Sequence, residues 1–367
     1  NSCNLSCDYC YAERNFRGSR NMSKEVIQKL FSDLSRSAYD RLDINWHGGE
    51  PLVMGKEFLR WGLDAQQQVS MANGRTVVNR LQTNGTLMDN ATAEFLAGSV
   101  METGISIDGP EDLHNLHRKY RVKEANGAVK NAFQATMEGI SLLATHKVPL
   151  AALVVVTPES ATQADRLYNF FREMKPLPTS VDFLPSFEVD PETHQVTRQT
   201  VPPGQYGDFM VQLFDRWFEE DDLELRIPFF EDVLSVLMGG VASLCYFRRG
   251  CKGFLTVHPN GDIFPCDRFA GLPEFLLGNI NHEPLDEILK KEPYVGLRSS
   301  FDRIAPECWQ CPWLRLCRGG CAYEAYATTG EFNQISYFCE GIKRIFSHID
   351  EVLKTSVEGY QRFTVVD

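Results

Sequence analysis

Asn1-Ser2-Cys3-Asn4-Leu5-Ser6-Cys7-Asp8-Tyr9-Cys10-Tyr11 opens the chain, and its three cysteines stand at Cys-x3-Cys-x2-Cys spacing. On one tight loop that spacing lets three thiolates reach one face of a single metal cluster. Three ligands on a cubane of four irons leave one iron without a protein ligand. An open iron binds a small molecule, as an open zinc position does. A zinc knuckle with a distant fourth ligand is the other use of the same thiols. Tyr9 and Tyr11, on either side of Cys10, argue against a chance arrangement.

The rest of the composition bounds the problem. The chain has 367 residues, 43 % of them hydrophobic, which is enough for one large domain or two with a sizeable core. No apolar run reaches the length of a membrane span, so no membrane partner is expected. Net charge is −12 and the sequence pI is near 5.2, which argues against nucleic acid as the main partner. No secretory signal is visible. A strand would normally lead into such a loop, so we expect a segment before Asn1, and targeting is not legible. Eleven cysteines fit a complete disulfide set poorly. Three lie at the front and eight in the last third, so groups of three, four and four would serve three clusters. Such clusters are oxygen-labile, which implies a reducing, cytoplasmic setting.

Downstream of the cysteine loop, strands and helices alternate. Met22 to Ala38 carries Val26, Ile27, Leu30, Phe31 and Leu34 at helical spacing, with Ser23 and Glu25 as its start. Leu42 to Trp46 reads as a strand ending in His47-Gly48-Gly49-Glu50-Pro51. Two glycines there let backbone approach a ligand, and a carboxylate follows to accept from an ammonium. An ordinary strand-to-helix turn would look the same. Val77 to Thr83, Thr103 to Ile107, Leu150 to Thr157 and Val181 to Leu184 are further strands. Helical patterns cover Thr92 to Leu96, Asn126 onward through Val129, Phe133, Met137, Ile140 and Leu143, and Ala161 to Met174. Repeated strand–helix units predict a parallel sheet with right-handed crossovers. Gly48-Gly49-Glu50, Asn84-Gly85 and Asp108-Gly109 all follow the C-terminal ends of their strands, where α/β sheets and barrels bind ligands.

Glu188 to Gly204 is polar and proline-bearing, the best linker candidate. Two helices with apolar faces follow, Tyr206 to Glu220 and Phe229 to Met238, with Trp217 and Phe218 as core. Acidic Glu219 to Asp222 reads as a solvated helix end. Beyond them, Cys245, Cys251 and Cys266 flank a predicted hairpin, Thr256 to Phe264, around Asn260-Gly261. Cys308, Cys311, Cys317 and Cys321 then stand at Cys-x2-Cys-x5-Cys-x3-Cys spacing, with Cys339 further on. Two zinc sites would use the same residues.

These residues carry a resemblance. The opening motif resembles the signature of radical S-adenosylmethionine (radical SAM) enzymes, which implies a partial (β/α)6 TIM-like barrel. It further implies a [4Fe–4S] cluster on Cys3, Cys7 and Cys10 whose open iron chelates the methionine moiety of S-adenosylmethionine. Reductive cleavage then gives a 5′-deoxyadenosyl radical that takes hydrogen from an unactivated carbon. By the same resemblance, Gly48, Gly49 and Glu50 contact the methionine amino group. Ser106 contacts the carboxylate or ribose, where a turn-stabilising serine is the other reading. Arg118, otherwise a surface cation, supplies the bidentate charge for the carboxylate. Leu153 lies on the adenine or is simply core. His47, His114 and His117 form a weaker candidate metal set, since the cysteines already account for the cofactors.

The last third is similar to a SPASM domain, the auxiliary-cluster module of peptide-modifying radical SAM enzymes. The whole chain resembles the anaerobic sulfatase-maturating enzymes, through Cys-Asn-Leu-x-Cys-x-Tyr-Cys, Gln82-Thr83-Asn84-Gly85-Thr86-Leu87, Ser106-x-Asp108-Gly109-Pro110, Pro265-Cys266-Asp267, Leu277-Gly278-Asn279-Ile280 and Cys317-Arg318-Gly319-Gly320-Cys321. The resemblance assigns Cys245, Cys251, Cys266 and Cys321 to one auxiliary [4Fe–4S] cluster, and Cys308, Cys311, Cys317 and Cys339 to a second. Asp267 matches the family's general base, unless it only bonds the hairpin or Arg268. The implied domains are 1–190, the partial barrel; 191–240, a helical linker region; 241–350, the SPASM domain; and 351–367, a tail.

One departure bears on function. Sulfatase maturases usually carry Gln before Gly-Gly-Glu-Pro, and this chain has Trp46-His47. With Cys266-Asp267-Arg268-Phe269, that resembles maturases that crosslink side chains of ribosomal peptides into cyclophanes. The first expectation is therefore a radical SAM peptide maturase acting on a side-chain β-carbon. The second is a sulfatase maturase that oxidises Cys or Ser to formylglycine. A non-catalytic iron–sulfur or zinc protein is the third. Expected partners are a precursor peptide or a sulfatase, and a reducing donor such as flavodoxin or ferredoxin.

Overall fold

Strand ends and helix caps fix this architecture. The structure, a computed structural model, describes residues 2–11, 21–37, 39–99, 101–122, 130–220 and 224–356. The expected helix end at Ala38, the stretch around Asn126 and Val129, acidic Asp221-Asp222 and the tail beyond 356 lie outside the described residues. The chain forms two compact units: Asn1–Leu153 with Lys252–Ser299, and Val154–Cys251 with Ser300–Asp367.

Parallel strands make the main sheet. β1 is Leu5–Cys7, β2 Arg41–Trp46, β3 Thr76–Thr83, β4 Met101–Ser106, β5 Arg118–Tyr120, β6 Leu150–Val156 and β7 Val181–Pro185. The five-stranded sheet runs in the order β2-β3-β4-β6-β7, and β2, β3, β4 and β6 pair in parallel. The radical SAM expectation of an α/β half-barrel holds. Register places Gln82, Gly104 and Ala151 in one row and Thr83, Ile105 and Ala152 in the next. Thr83, Ile105 and Ala152 are buried. The alternate face carries Arg80, Gln82, Ser106 and Leu153, all half-buried. Period-two alternation therefore gives this parallel sheet one packed face and one open face.

The caps are as the residue types require. Ser23 Oγ accepts from Val26 N at 3.3 Å and starts the helix Lys24–Arg36. Gly139 lets the helix Ala132–Thr145 lie against the Asn84-Gly85 turn, where a Cβ would stand 2.3 Å from Gly85 O. The hairpin forms as β8 Thr256–Val257 and β9 Asp262–Phe264, closed by Gly261 N to His258 O at 2.8 Å. A third strand, β10 Gly278–Asn279, joins β9. Ile263, Leu277, Ile280, Leu285 and Ile288 bury against Val26, Ile27, Phe31 and Leu34. Each such buried aliphatic side chain stabilises by about 1.5–3 kcal/mol. Asp33 adds a buried acceptor for Leu285 N at 2.9 Å. This core holds residues 252–299, Asp267 among them, on the unit that carries the opening cysteine loop.

The second unit has an aromatic core. Phe229 meets Phe247 at 5.1 Å, and Phe247 meets Phe346 at 5.5 Å between ring centroids. The helix Cys339–Thr355 lies against the helix Pro203–Glu219 at Gly341 and Gly207. The expected linker is an ordered loop. Val189 bridges Val196, and Ser186 Oγ donates to Gln199 O at 2.6 Å.

Candidate functional site

The opening loop is pinned from three sides within the first unit. β1 pairs antiparallel with β5, so Cys7 lies opposite Arg118. Cys10 N donates to Cys7 O at 3.1 Å, which closes the turn. Glu50 N donates to Ser2 O at 2.9 Å. Asn4 Nδ2 donates to Thr86 Oγ1 at 2.7 Å, while Asn84 Nδ2 donates to Asn4 Oδ1 at 3.0 Å and reaches Cys3 Sγ at 3.8 Å. The Cys-Asn-Leu and Thr-Asn-Gly-Thr motifs are thus two halves of one joint.

Cys3, Cys7 and Cys10 are free thiols within one another's electrostatic reach, the donor set that a three-ligand cluster needs. Burial pushes Cys7 up to about 12, against the pull of Arg118. A bound metal would hold that thiolate deprotonated. In the second unit Cys317 is pushed up to about 11, first by burial, with Cys339, Cys308 and Cys311 adding their charge. Those four thiols therefore form a second close set. Cys245, Cys251 and Cys321 also belong to that unit, and Cys266 to the first.

Glu50 is buried and held by three donors: Leu52 N at 2.9 Å, Thr83 Oγ1 at 2.6 Å and Asn84 N at 2.7 Å. Burial raises its carboxyl, and the three hydrogen bonds oppose the rise. A carboxylate has about four lone-pair sites, so about one remains for a ligand ammonium. Gly48 and Gly49 take φ of 91° and 58°, a conformation that favours glycine. A cavity of about 230 Å³ adjoins this corner, lined by Ser2, Trp46, His47, Glu50, Met54 and Val257 among others.

Arg118 is not a free cation. Its Nε and Nη2 donate to Asp108 at 2.8 and 3.0 Å, and its guanidinium stands 5.5 Å from the Tyr9 ring centroid. The Tyr9 hydroxyl also donates to Asp108. Burial would raise the Asp108 carboxyl, but Arg118 outweighs it and holds it below the usual range. Sequence reasoning missed Asp108 as the partner, although Tyr9, Asp108 and Arg118 were all in motifs it quoted. Ser106 Oγ accepts from Gln82 Nε2 at 2.9 Å and keeps its own proton to donate. Leu153 pairs with Ser106 in register and is half-buried.

The histidines do not gather. Among the described residues, His47, His114 and His117 do not form a group that could hold a metal ion. His114 is buried, and burial followed by Arg118 lowers its imidazole to about 4. His117 faces Asp8 at 3.4 Å. His47 instead lies close enough to Asp267 to lower its carboxyl.

Asp267 is placed by Tyr11, a contact that the sequence did not reveal, and by the neighbouring Arg268, which it offered. Tyr11 Oη donates to its Oδ2 at 2.5 Å, and Arg268 N donates to Oδ1 at 3.0 Å. Burial would raise this carboxyl, but His47, Tyr11, Cys266 and Arg268 together hold it below its ordinary value. An ionised carboxylate beside the opening loop is equipped to take a proton.

Comparison with known proteins agrees with this geometry. The model of the radical SAM superfamily matches residues 1–171, and that of the SPASM iron–sulfur cluster-binding domain matches 245–312. The serine-type anaerobic sulfatase-maturating enzyme of Bacteroides thetaiotaomicron is 30 % identical over 370 residues, 95 % of this chain and 86 % of the relative. The cysteine-type enzyme of Clostridium perfringens is 29 % identical over 357 residues, 94 % and 93 % of the two chains. The solved structure of native anSMEcpe with bound AdoMet and Cp18Cys peptide superposes with a TM-score of 0.86 at 27 % identity, covering 98 % of this chain and 96 % of that one. With its three-thiol loop, its parallel half-barrel and its cysteine-rich C-terminal segment, this chain belongs to the radical SAM enzymes that carry a SPASM domain.

Proposed function

We propose that this protein is a peptide maturase that takes hydrogen from a side-chain β-carbon and closes a crosslink. When bound, a [4Fe–4S] cluster on Cys3, Cys7 and Cys10 with S-adenosylmethionine supplies a 5′-deoxyadenosyl radical. The chain's own residues do the rest. Gly48, Gly49 and Glu50 receive the methionine ammonium. Ser106 offers a hydroxyl proton and Arg118 its Nη1 donors to the carboxylate or ribose, and Leu153 lies against the adenine. Asp267 accepts the proton that the substrate loses after the new bond forms, and Tyr11 fixes that carboxylate in place.

The substrate thus loses two hydrogens. One leaves as an atom to the nucleoside radical, the other as a proton to Asp267 and an electron to the auxiliary sites. The ligand sets of those sites are Cys245, Cys251, Cys266 and Cys321, and Cys308, Cys311, Cys317 and Cys339. A donor of the flavodoxin or ferredoxin type supplies the electron that starts the cycle.

The observation that carries this reading is the Asp267 carboxylate on the Tyr11 hydroxyl. His47, where sulfatase maturases usually have Gln, favours crosslinking. The names of the relatives favour the second reading, oxidation of a cysteine or serine to formylglycine. Reduced, reconstituted protein would be given S-adenosylmethionine and either an aromatic-rich precursor peptide or a sulfatase-derived cysteine peptide. A ring that resists fragmentation, two hydrogens lighter, supports crosslinking. A product that traps hydrazines supports the formylglycine reading and rejects the first.

A further inference from the structure

Arg249 carries a charge that no carboxylate meets among the described residues. It follows the short helix Cys245–Arg248 with a φ of 50°, on the turn between Cys245 and Cys251. Its guanidinium donates to five carbonyls. Nε reaches Phe301 O at 2.6 Å, and Nη1 reaches Gly319 O at 3.1 Å and Gly320 O at 3.4 Å. Nη2 reaches Phe332 O at 3.2 Å and also Arg303 O. A guanidinium has five N–H donors, so none is left for a substrate or a carboxylate.

Two of those carbonyls lie inside a second cysteine turn. Cys317-Arg318-Gly319-Gly320-Cys321 takes φ of 49°, 87° and 73° at its three central residues. A Cβ on Gly319 would stand 2.9 Å from Arg249 Nη1 and 2.6 Å from Ile304 Cγ2. The glycines therefore supply both the backbone conformation and the space that the guanidinium fills. The thiols within electrostatic reach are Cys251, Cys321, Cys308 and Cys317. In the reading above, the first two belong to one auxiliary ligand set and the last two to the other.

Carbonyl dipoles orient a half-buried cation but do not neutralise it. Thiolates ligating iron would. We propose that Arg249 is the positioning residue of the auxiliary module: it ties the two cysteine turns together, and its charge makes both auxiliary clusters easier to reduce. Hydrogen bonds and net charge around a cluster are recognised controls of its potential. This rests on the reading that these cysteines hold two auxiliary clusters.

The test uses the full chain, anaerobically reconstituted, as wild type, Arg249→Gln and Arg249→Lys. Iron, zinc and sulfide per chain are measured first. Zinc in place of auxiliary iron in the wild type would reject the underlying reading before any variant is compared. Redox titration followed by electron paramagnetic resonance then reads each cluster. The opening-loop cluster is identified by its response to S-adenosylmethionine. We expect the Gln variant to shift the auxiliary signals to more negative potential, the Lys variant to stay near wild type, and the opening-loop signal to stay fixed in both. Unshifted auxiliary potentials in a fully loaded Gln variant overturn the proposal, as do equal shifts in Gln and Lys. Should the Gln variant lose its auxiliary iron, loading and wild-type potential in the Lys variant support the proposal, and equal iron loss overturns it.

Discussion

The Tyr11 hydroxyl donates to Asp267 Oδ2 at 2.5 Å, across 256 positions of sequence. Tyr11 follows the last cysteine of the opening loop, and Asp267 follows Cys266. The residue next to one proposed cluster ligand is thereby hydrogen-bonded to the residue next to another. In the proposed reaction, a carboxylate fixed there receives the proton that the substrate loses.

Removing either partner separates cofactor cleavage from product formation. Asp267→Asn keeps the shape and loses the base. Tyr11→Phe keeps the ring and leaves Asp267 Oδ2 without its phenol. We expect product to fall about 10- to 100-fold in the first and less in the second, within the usual range for a positioned base. 5′-Deoxyadenosine release stays near wild type in both. Mass spectrometry of peptide and nucleoside from the same reaction checks both statements. Wild-type product from the Asp267 variant would remove its assigned role.

Cys7→Ala addresses the opening loop alone. Cys7 is opposite Arg118 in the β1–β5 pair, and two thiols do not hold a cubane open at one iron. Iron content should drop by about four per chain, the content of one [4Fe–4S] cluster. Nucleoside cleavage should vanish. Iron analysis and chromatography read these outcomes, and full iron loading in the variant would show that Cys7 is not a ligand.

Glu50 contributes to stability as well as to the site. Glu50→Ala strands Leu52 N, Thr83 Oγ1 and Asn84 N in a buried corner. Each unpaired buried donor costs about 1–3 kcal/mol, so a loss of about 3 kcal/mol or more is expected. Glu50→Gln keeps one acceptor oxygen and should lose less. Urea unfolding of both variants gives the comparison, and equal losses would mean that the three donors find other partners.

Much of the half-barrel was legible because its signals are local. Strand ends carry Gly48-Gly49, Asn84-Gly85 and Asp108-Gly109, and Ser23 caps its helix as expected. What stayed hidden depends on distant partners. β1 and β5 are three residues each, too short to show alternation, and exist because they pair with each other. Arg118 looked like an available cation because its ion pair with Asp108 has no periodic signature. Ile263, Leu277, Ile280 and Leu285 come singly on or beside elements of two to four residues, so nothing in their spacing announces that they cover the helix Lys24–Arg36. The polar stretch after Glu188 looked like a linker because its hydroxyls and amides bond to its own backbone rather than to a hydrophobic face.

Asp182 gives the protein a defined pH dependence. Burial first, then Glu231 and Asp232, raise its carboxyl from 3.8 to about 6. Tyr206 and Tyr246 also feel its charge. The folded state therefore binds this proton more tightly than the unfolded chain, and stability falls as pH rises from about 4 through about 6. Asp182→Asn removes that penalty. We expect it to stabilise the protein by on the order of 1–3 kcal/mol at pH 8, with the gain shrinking toward pH 5. Urea midpoints at the two pH values test this, and a gain independent of pH would point to some other cause.

Gly341 couples helix contact to a cysteine. It lies two residues after Cys339, at the start of the helix Cys339–Thr355. A Cβ there would stand 2.1 Å from Pro203 O and 3.1 Å from Gly207 N, both backbone atoms that cannot rotate away. Gly341→Ala must push the two helices apart, and overpacking of this kind costs about 1–3 kcal/mol. The shift falls on the turn that presents Cys339, so auxiliary iron should be lost more readily than iron at Cys3, Cys7 and Cys10. Gly204→Ala is the control on the neighbouring helix, since a Cβ there would meet nothing closer than Glu340 Oε1 at 3.6 Å. Thermal unfolding with iron analysis after limited chelation distinguishes them: the Gly204 variant should match wild type, and the Gly341 variant should lose both stability and auxiliary iron. Equal chelation resistance in all three would mean that the helix contact does not set the position of Cys339.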